Sequence, residues 1–350
     1  MNVSARILTT FIEDLFVAAR LAPADARLCA EVHVLQEMRG VTTHGLCQVP
    51  LSLDRLTHGQ INPLPNRIVL RDEAATTVLD GDQGMGVAGC MDAMHRTIAK
   101  ARQFGIGIGV VIHSNHFLSA APYCLRATEH DMIGICFSNT WPSMGYPGTN
   151  LRVIANSPIG FGAPNGREFP IIFDSALTAS GGKLLQWIRE KKTIPEGLLG
   201  INEAGNSTID PAAVLQGGTP WPIGGHKGAG LAVLVEVLTG VLGGSGFLHG
   251  IQPPNLRTSG EGCESQCCIV IDVTRFMSLG EFHQRLRAFI ADLKSNSLAP
   301  GYTEILLPGE RAHRAELRCL REGVTFETGL AADLRSWAQR LQVVVPLPFR

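Results

Sequence analysis

The hydrophobic pattern of this chain changes its period near Arg67, and this change constrains the fold more than any other feature. Before Arg67, apolar side chains recur at the three- and four-residue spacing of amphipathic helices. After it, short apolar runs alternate with longer amphipathic segments, which indicates strands and helices in turn. Two more helices are expected at 309–322 and 330–341. The sequence therefore predicts a mixed α/β fold with helical N- and C-terminal segments.

Composition and charge narrow the functional classes. The chain has 350 residues, with 30 Lys and Arg against 31 Asp and Glu, so its overall field attracts neither nucleic acid nor an anionic membrane. Its longest apolar stretch, 228–242, contains Glu236 and is short for a membrane span. Nine scattered cysteines, an odd number, indicate reduced thiols. We expect a soluble cytoplasmic protein whose partners are small molecules.

One motif suggests a Rossmann-type dehydrogenase. Gly84-Met-Gly86-Val-Ala-Gly89 matches G-x-G-x-x-G between a predicted strand and a predicted helix. A dinucleotide site would then need an acidic residue at the end of the next strand, to bind the ribose. That strand, 106–112, is followed by His113 and Ser114 instead. We favour the alternative, a glycine-lined turn that packs a helix on a sheet.

The strongest candidate for acid–base chemistry is His44. It lies between Thr43 and Gly45, in a loop that follows a predicted helix ending at Gly40. An imidazole has an ordinary pKa near 6.5, so it gives or takes a proton near neutral pH. Thr43 offers a hydroxyl to the imidazole or to a substrate. The alternative is a histidine that only caps the helix terminus.

Three other places carry polar groups beside predicted strands or helices. His113 and His116 follow a buried strand, but without a nearby Cys, Asp or Glu they predict a polar pocket wall and no metal site. Lys227, in a glycine-rich turn before an apolar helix, suits a phosphate cradle or a solvated turn. Asp174, at a strand end, could bind a ribose hydroxyl, orient the catalytic His, or cap the following helix. Cys263, Cys267 and Cys268 indicate core packing more than zinc.

Several segments taken in order resemble the malate/L-lactate dehydrogenase-type oxidoreductases. They cover nearly the whole chain and comprise Arg39-Gly-Val-Thr-Thr-His44-Gly, Asn115-His116-Phe117, Asn156-Ser-Pro158, Phe173-Asp174-Ser-Ala176, Gly224-Gly-His226-Lys227-Gly and Leu307-Pro-Gly309-Glu310. The resemblance implies a non-Rossmann fold with a mixed-sheet cofactor domain, assembled as a homodimer. It further implies three parts: a helical segment 1–60, a lobe formed by 61–120 with 265–350, and a cofactor-binding domain 121–264.

The resemblance also assigns an activity and a site. It implies hydride transfer between NAD or NADP and a small 2-keto or 2-hydroxy acid, or a cyclic imino acid. His44 would be the catalytic acid–base, assisted by Thr43, and His116 competes for that role. The cofactor groove implied by position comprises His116, Ser138, Asn139, Asp174, Ser175, Ala176 and Lys227, with Gly309 and Glu310 at its edge.

Three departures from the family pattern matter, and one of them, Ala155-Asn156-Ser157-Pro158 in place of Gly-Thr-Asn-Pro, lies in the expected cofactor loop. Thr43 replaces a Ser but keeps the hydroxyl. Gln48 stands where the family has an Arg that pairs with the substrate carboxylate, and a neutral amide cannot form that charge-assisted pair. Gln48 and Arg39 are the predicted substrate-binding residues, and Arg55 or Arg152 could also supply the missing charge. The alternative is a chain that binds cofactor with altered or lost keto-acid activity.

Overall fold

The computed structural model describes residues 2–166, 169–180, 183–195, 198, 200–253, 256 and 263–347. Its α-helices are α1 Ala5–Ala18, α2 Pro23–Met38, α3 Gln48–Thr57, α4 Gly86–Phe104, α5 Ala121–Thr128, α6 Leu184–Arg189, α7 Pro211–Leu215, α8 His226–Glu236, α9 Leu279–Lys294, α10 Glu310–Glu322 and α11 Thr328–Leu341. Its strands are β1 Asn2–Val3, β2 Ile68–Asp72, β3 Thr76–Asp80, β4 Ile106–Ser114, β5 Met132–Ser138, β6 Ile159–Ala163, β7 Ile171–Ser175, β8 Gly200–Ile201, β9 Ser207–Thr208, β10 Thr219–Pro220, β11 Glu264–Asp272 and β12 Val324–Thr325. The helical ends and the change of period near Arg67 are confirmed. Within these ranges, no helix is both long and apolar enough to cross a bilayer.

A seven-stranded sheet forms the centre of the fold, in the order β2-β3-β4-β11-β5-β6-β7. β3 and β4 are parallel, and the other neighbouring pairs are antiparallel. A Rossmann fold requires a mostly parallel, doubly wound sheet, so the Rossmann hypothesis is wrong and the mixed sheet is confirmed. The sheet takes strands from both of the predicted lobes, and the predicted domain boundaries remain a prediction.

The two faces of the sheet are covered by different layers. On one face α4 and α5 pack against it, and Cys90, Cys136 and Cys268 belong to a large core that continues into α1, α2 and α11. On the other face Cys267 packs with Val235 of α8. Successive strand residues point to opposite faces, which is why the neighbours Cys267 and Cys268 join different cores. The predicted packing role of both is confirmed.

The sheet positions the site because the ends of several strands line up along one edge of the sheet, which is formed by strand ends and not by an outer strand. β4, β5 and β7 end at this edge, while the antiparallel strands β6 and β11 begin there. The loops that leave or enter these strands therefore converge, although they are far apart in the sequence. This convergence brings residues near 115, 139, 157, 175 and 264 together.

Candidate active site

A cavity of about 890 Å³ opens at this edge of the sheet, and α10 and the loop before it form its opposite wall. It has the size of a small-molecule or cofactor site. Of the predicted site residues, those that line it are Arg39, His44, His116, Ser138, Asn139, Asp174, Ser175, Ala176 and Gly309. Most of the predicted set is therefore brought together, from segments that span some 270 positions of the chain.

His44 enters the cavity from a short 3-10 turn, Thr42–His44, that follows α2. Gly40 allows this turn, since its φ of +75° is a left-handed conformation that favours glycine. Gly45 is also required, because a Cβ there would overlap the Glu37 carboxylate. That carboxylate in turn accepts a hydrogen bond from the backbone N–H of Leu46 at 3.0 Å. The turn is thus fixed to the end of α2, and His44 with it.

Two histidines and a threonine form the centre of the site. The hydroxyl of Thr43 is 2.9 Å from Nδ1 of His44, which fixes the plane of the ring. The rings of His44 and His116 stack, with centroids 5.6 Å apart and an angle of 29° between planes. Burial lowers the pKa of His44 below its ordinary 6.5, and the negative charge of Asp174 opposes that shift. The shift favours the neutral imidazole, which can accept a proton.

The Gly84–Gly89 segment holds the loop that carries His116. The side-chain amide of Asn115 donates to the carbonyl oxygens of Gln83 and Gly84, at 2.8 and 3.0 Å. At Gly86 a Cβ would overlap the carbonyl oxygen of Asn115, so α4 approaches this loop more closely than a side chain allows. The packing interpretation of the glycine motif is confirmed.

Asp174 connects the site to α5. Its carboxylate accepts a hydrogen bond from the backbone N–H of Ala121 at 2.9 Å and so caps the N-terminus of α5, which precedes it in the sequence. The prediction that it caps the following helix is therefore wrong. Burial raises the pKa of Asp174, while hydrogen bonds from Ser119 and from the backbone of Ala120 and Ala121 act against this shift. An anionic Asp174 is favoured by the positive end of the helix dipole.

Amide side chains hold the strand ends around the cavity. Gln266 donates to both the carbonyl oxygen of Asn115 and the hydroxyl of Ser138, each at 3.2 Å. Asn139 accepts from the backbone N–H of Ser265 at 2.8 Å. The buried hydroxyl of Ser143 lines the cavity and has no hydrogen-bond partner among the described residues. Buried polar groups are normally paired, so this hydroxyl has unused hydrogen-bonding capacity beside the cavity.

Four predicted residues do not line the cavity. Thr43 contacts Nδ1 of His44 with its hydroxyl, and Gln48 donates its amide to the carbonyl oxygen of Thr43 at 2.9 Å, supporting the same turn. Lys227 is exposed at the start of α8. Glu310 is buried, where it accepts from Lys294 at 2.6 Å, from Arg314 at 2.5 Å and from the backbone of Leu307 at 3.1 Å. It fixes the loop that carries Gly309.

The charge around the cavity differs from the sequence-based expectation. Arg39 lines the cavity but is buried and paired with Glu316 at 2.6 Å. Arg152 donates to the carbonyl oxygens of Val214 and Gly218 instead of entering the site. Sequence reasoning missed two cavity cations, Arg311 and Arg318 of α10, for which no salt bridge is found in the described part of the chain.

The missed cations share one face of α10. Arg311, Ala312, Ala315 and Arg318 follow the spacing of a helix stripe, and all four line the cavity. The helix was predicted at 309–322, but nothing in that pattern indicates that the stripe faces the loop of His44. Also missed were Trp141 and the buried Glu264, which lie in or beside loops without a recognisable motif.

Comparison with known proteins identifies the family. A family model described as malate/L-lactate dehydrogenase matches residues 3–335. The chain is 31% identical to malate dehydrogenase of Pyrococcus horikoshii, over 96% of this chain and 94% of that one. It is 33% identical to L-sulfolactate dehydrogenase of Methanocaldococcus jannaschii, over 91% and 90%. The solved sulfolactate dehydrogenase structure from that organism superposes with a TM-score of 0.91 at 30% identity, covering 98% of both chains.

A third relative is named for a different reaction, the reduction of cyclic imino acids. The Delta(1)-pyrroline-2-carboxylate/Delta(1)-piperideine-2-carboxylate reductase of Pseudomonas syringae pv. tomato is 28% identical, over 93% of both chains. All three relatives are thus dehydrogenases or reductases of small acids. With this sheet, this pair of histidines and a family match over nearly the whole length, the chain belongs to the malate/L-lactate dehydrogenase family and is an oxidoreductase.

Proposed function

We propose that the cavity binds NAD or NADP and that the enzyme transfers a hydride between nicotinamide and a small 2-keto or 2-hydroxy acid, or a cyclic imino acid. The observation that carries the proposal is the pair His44 and His116, stacked in a cavity at the sheet edge with Thr43 bonded to His44. The relatives named above act on acids of these kinds. The alternative of a Rossmann-type site at Gly86 is discarded with the sheet topology.

The residues of the cavity fit a nicotinamide cofactor. Backbone groups at the strand ends suit the nicotinamide amide, and the unpaired hydroxyl of Ser143 suits the ribose hydroxyls. The two arginines of the cavity suit the phosphates. The proposed contacts are His116, Ser138, Asn139, Asp174, Ser175, Ala176 and Gly309. Lys227 and Glu310 are left out of this set, because one lies on the surface and the other is bonded to Lys294 and Arg314.

When bound, the nicotinamide supplies or accepts hydride at its C4 atom. In the proposed reaction His44 holds the proton, giving it to the substrate oxygen or nitrogen on reduction and taking it back on oxidation. Proton transfer of this kind contributes roughly 100- to 10,000-fold to the rate. Thr43 fixes the ring that does so, and His116 stacks on it and limits its movement. His116 is therefore proposed as a cofactor contact and positioning residue.

The negative charge of the substrate acid has a partner despite the loss of the family's arginine. Gln48 is bonded to the Thr43 carbonyl, and Arg39 is neutralised by Glu316. Arg311 and Arg318 supply the cavity with positive charge that no described carboxylate neutralises through a salt bridge. We propose that these two cations bind the substrate carboxylate or the cofactor phosphates. The alternative, a chain that binds cofactor with altered or lost keto-acid activity, rested on the replacement of that arginine by Gln48. Positive charge from Arg311 and Arg318 removes the main reason for it.

Assembly and compartment belong to the same proposal. The outer face of α8 and of the helical segment that continues it exposes Leu231, Leu234, Val237 and Leu242, at 42 to 58%. An exposed apolar stripe of this length is typical of a protein interface, which supports a homodimer. Molar mass in solution tests it: Leu234→Asp should halve the mass, whereas a monomeric unsubstituted chain would contradict it. All nine cysteines are free, which supports a reducing compartment, the cytoplasm.

The test of the activity has two stages. Heat denaturation is measured with NADH, with NADPH and with adenosine as a control, since a ligand at 100 times its Kd stabilises a protein by about 2.7 kcal/mol. Turnover is then measured on pyruvate, oxaloacetate, sulfopyruvate, pyrroline-2-carboxylate and piperideine-2-carboxylate. We expect one of the two reduced cofactors to raise Tm and to be oxidised by at least one acid. No shift with either cofactor contradicts the proposal.

A further inference from the structure

Three cysteine side chains meet beneath the central sheet, away from the cavity. Cys90 comes from α4, Cys136 from β5 and Cys268 from β11. Their sulfur atoms are 3.6 Å apart for Cys90 and Cys136, and 3.9 Å apart for each of the other two pairs. The three side chains are fully buried. We call this group the trithiol cluster.

The fold holds the cluster from three sides. Cys136 and Cys268 are directly opposite each other in the antiparallel pair of β5 and β11. Cys90 reaches them from the helix that packs on this face of the sheet. The hydrogen-bond partners that the described residues offer these sulfurs are one another and the carbonyl oxygen of Cys90. The three thiols therefore face a common centre without competition from other ligands.

The spacing suits a single thiophilic centre. Three sulfurs bound at about 2.3 Å from one atom, the distance found for zinc, lie roughly 3.4–4.0 Å from each other, the lower end for a pyramidal centre and the upper end for a planar one. The observed separations fall within this range before any atom moves. Soft ions select thiolate ligands of this kind. No rearrangement of the sheet is needed to bring the ligands together.

The charge at the cluster decides which ion fits. A divalent ion on three thiolates leaves a net negative charge in the core, and burying an uncompensated charge is costly. A trivalent centre gives a neutral product. Arsenous acid meets this condition, because its trivalent arsenic bound by three thiolates carries no net charge.

We propose that the trithiol cluster is a binding site for a trivalent thiophilic ion, arsenite in its protonated form. Three As–O bonds break and three As–S bonds form, and each hydroxide leaves as water with one thiol proton. Arsenic stays in the +3 state, so no oxidant or reductant takes part. Because the thiols are buried, the ion enters only when α4 separates locally from the sheet, and binding is slow.

The product cross-links α4 to two neighbouring strands of the sheet. Cys90, Cys136 and Cys268 meet only in the folded state, so this product stabilises the native protein to the extent that unfolded chains bind the ligand less tightly. The chain contains a matched control for this claim. Cys267 is next to Cys268, is equally buried and belongs to the same strand, but it packs on the other face. Cys267→Ala should therefore leave arsenite binding unchanged.

The experiment uses intact-protein mass spectrometry on the folded, reduced full-length chain after incubation with arsenite. We expect one adduct per chain, with the mass of one arsenic atom minus three hydrogens, together with a higher Tm. Cys267→Ala should keep this adduct, while Cys268→Ala and Cys136→Ser should each lose it. Circular dichroism confirms that these variants are folded.

Three results would overturn the proposal. One is the absence of any adduct on the unsubstituted chain after long incubation. Another is an adduct that keeps one hydroxide, since its mass indicates two thiols and points to half-exposed cysteines such as Cys47 and Cys319. The last is an unchanged three-thiol adduct in folded Cys268→Ala.

Discussion

The hydroxyl of Thr43 offers a test of how the site orients His44, the proposed proton donor. It lies 2.9 Å from Nδ1 of His44, and no cavity wall depends on it, because Thr43 itself does not line the cavity. Thr43→Val replaces the hydroxyl with a methyl group of similar size. The substitution therefore removes one hydrogen bond and changes little else at this position.

The size of the effect follows from that bond. A hydrogen bond between neutral groups contributes about 0.5–1.5 kcal/mol net. If all of it serves to hold the imidazole in its reactive orientation, kcat falls by about 2- to 12-fold, since 1.36 kcal/mol corresponds to a factor of ten. KM for the cofactor should stay within about twofold of its original value, because the ring only moves within the site.

Steady-state kinetics in both reaction directions measure this effect, and Thr43→Ser is the matched control. Serine keeps the hydroxyl at the same place, so its kcat should recover to nearly the unsubstituted value. If Thr43→Val is fully active, or if Thr43→Ser is as impaired as Thr43→Val, the hydroxyl does not orient His44. Either result refutes the argument.

Three further predictions concern the site and its support. Because burial lowers the pKa of His44, kcat/KM for reduction, which needs the protonated imidazole, should fall as the pH rises through a value below 6.5. The kcat/KM for oxidation should rise over the same pH range. Two profiles that change in the same direction would contradict this prediction. Gly86→Ala should cost about 1–3 kcal/mol and lower kcat, whereas Gly280→Ala, in open space at the start of α9, should not destabilise. Equal stability of the two variants in urea would contradict this prediction. Glu310→Gln should lower the free energy of unfolding in urea by about 1.5–3 kcal/mol, because it removes the charge that pairs with Lys294 and Arg314. The loss should be clearly larger than that for Glu304→Gln on the surface, and equal losses in the two variants would contradict this prediction.

Sequence alone predicted the longer helices and strands well, because each depends on local spacing, but the short elements α7, β8, β9 and β10 lie in a segment that reads as loop. The boundaries of α2 and β5 agree with the pattern of apolar side chains, and Gly40 ends its helix as expected. The order of the strands in the sheet cannot be predicted from local sequence patterns. β11 pairs with β4 and β5 after more than 120 intervening residues, and no periodicity encodes such a pairing.

The candidate site likewise divides into residues that local sequence predicts and residues whose place depends on tertiary packing. His44 and His116 were found from local chemistry and the family pattern, and the structure places both in one cavity. Asp174 caps a helix that precedes it by 53 positions, so the rule that caps adjoin their helices gave the wrong partner. Arg318 was missed because its place in the cavity depends on how α10 packs on α2, which is tertiary information.

In the proposed mechanism His44 holds the proton that is transferred in a nicotinamide-dependent reduction. The most direct test compares His44→Ala with His116→Ala in single-turnover oxidation of the reduced cofactor, with cofactor binding measured separately by fluorescence. We expect His44→Ala to bind cofactor normally and to slow the turnover by roughly 100- to 10,000-fold. A folded, cofactor-bound His44→Ala enzyme that turns over at the unsubstituted rate would contradict it.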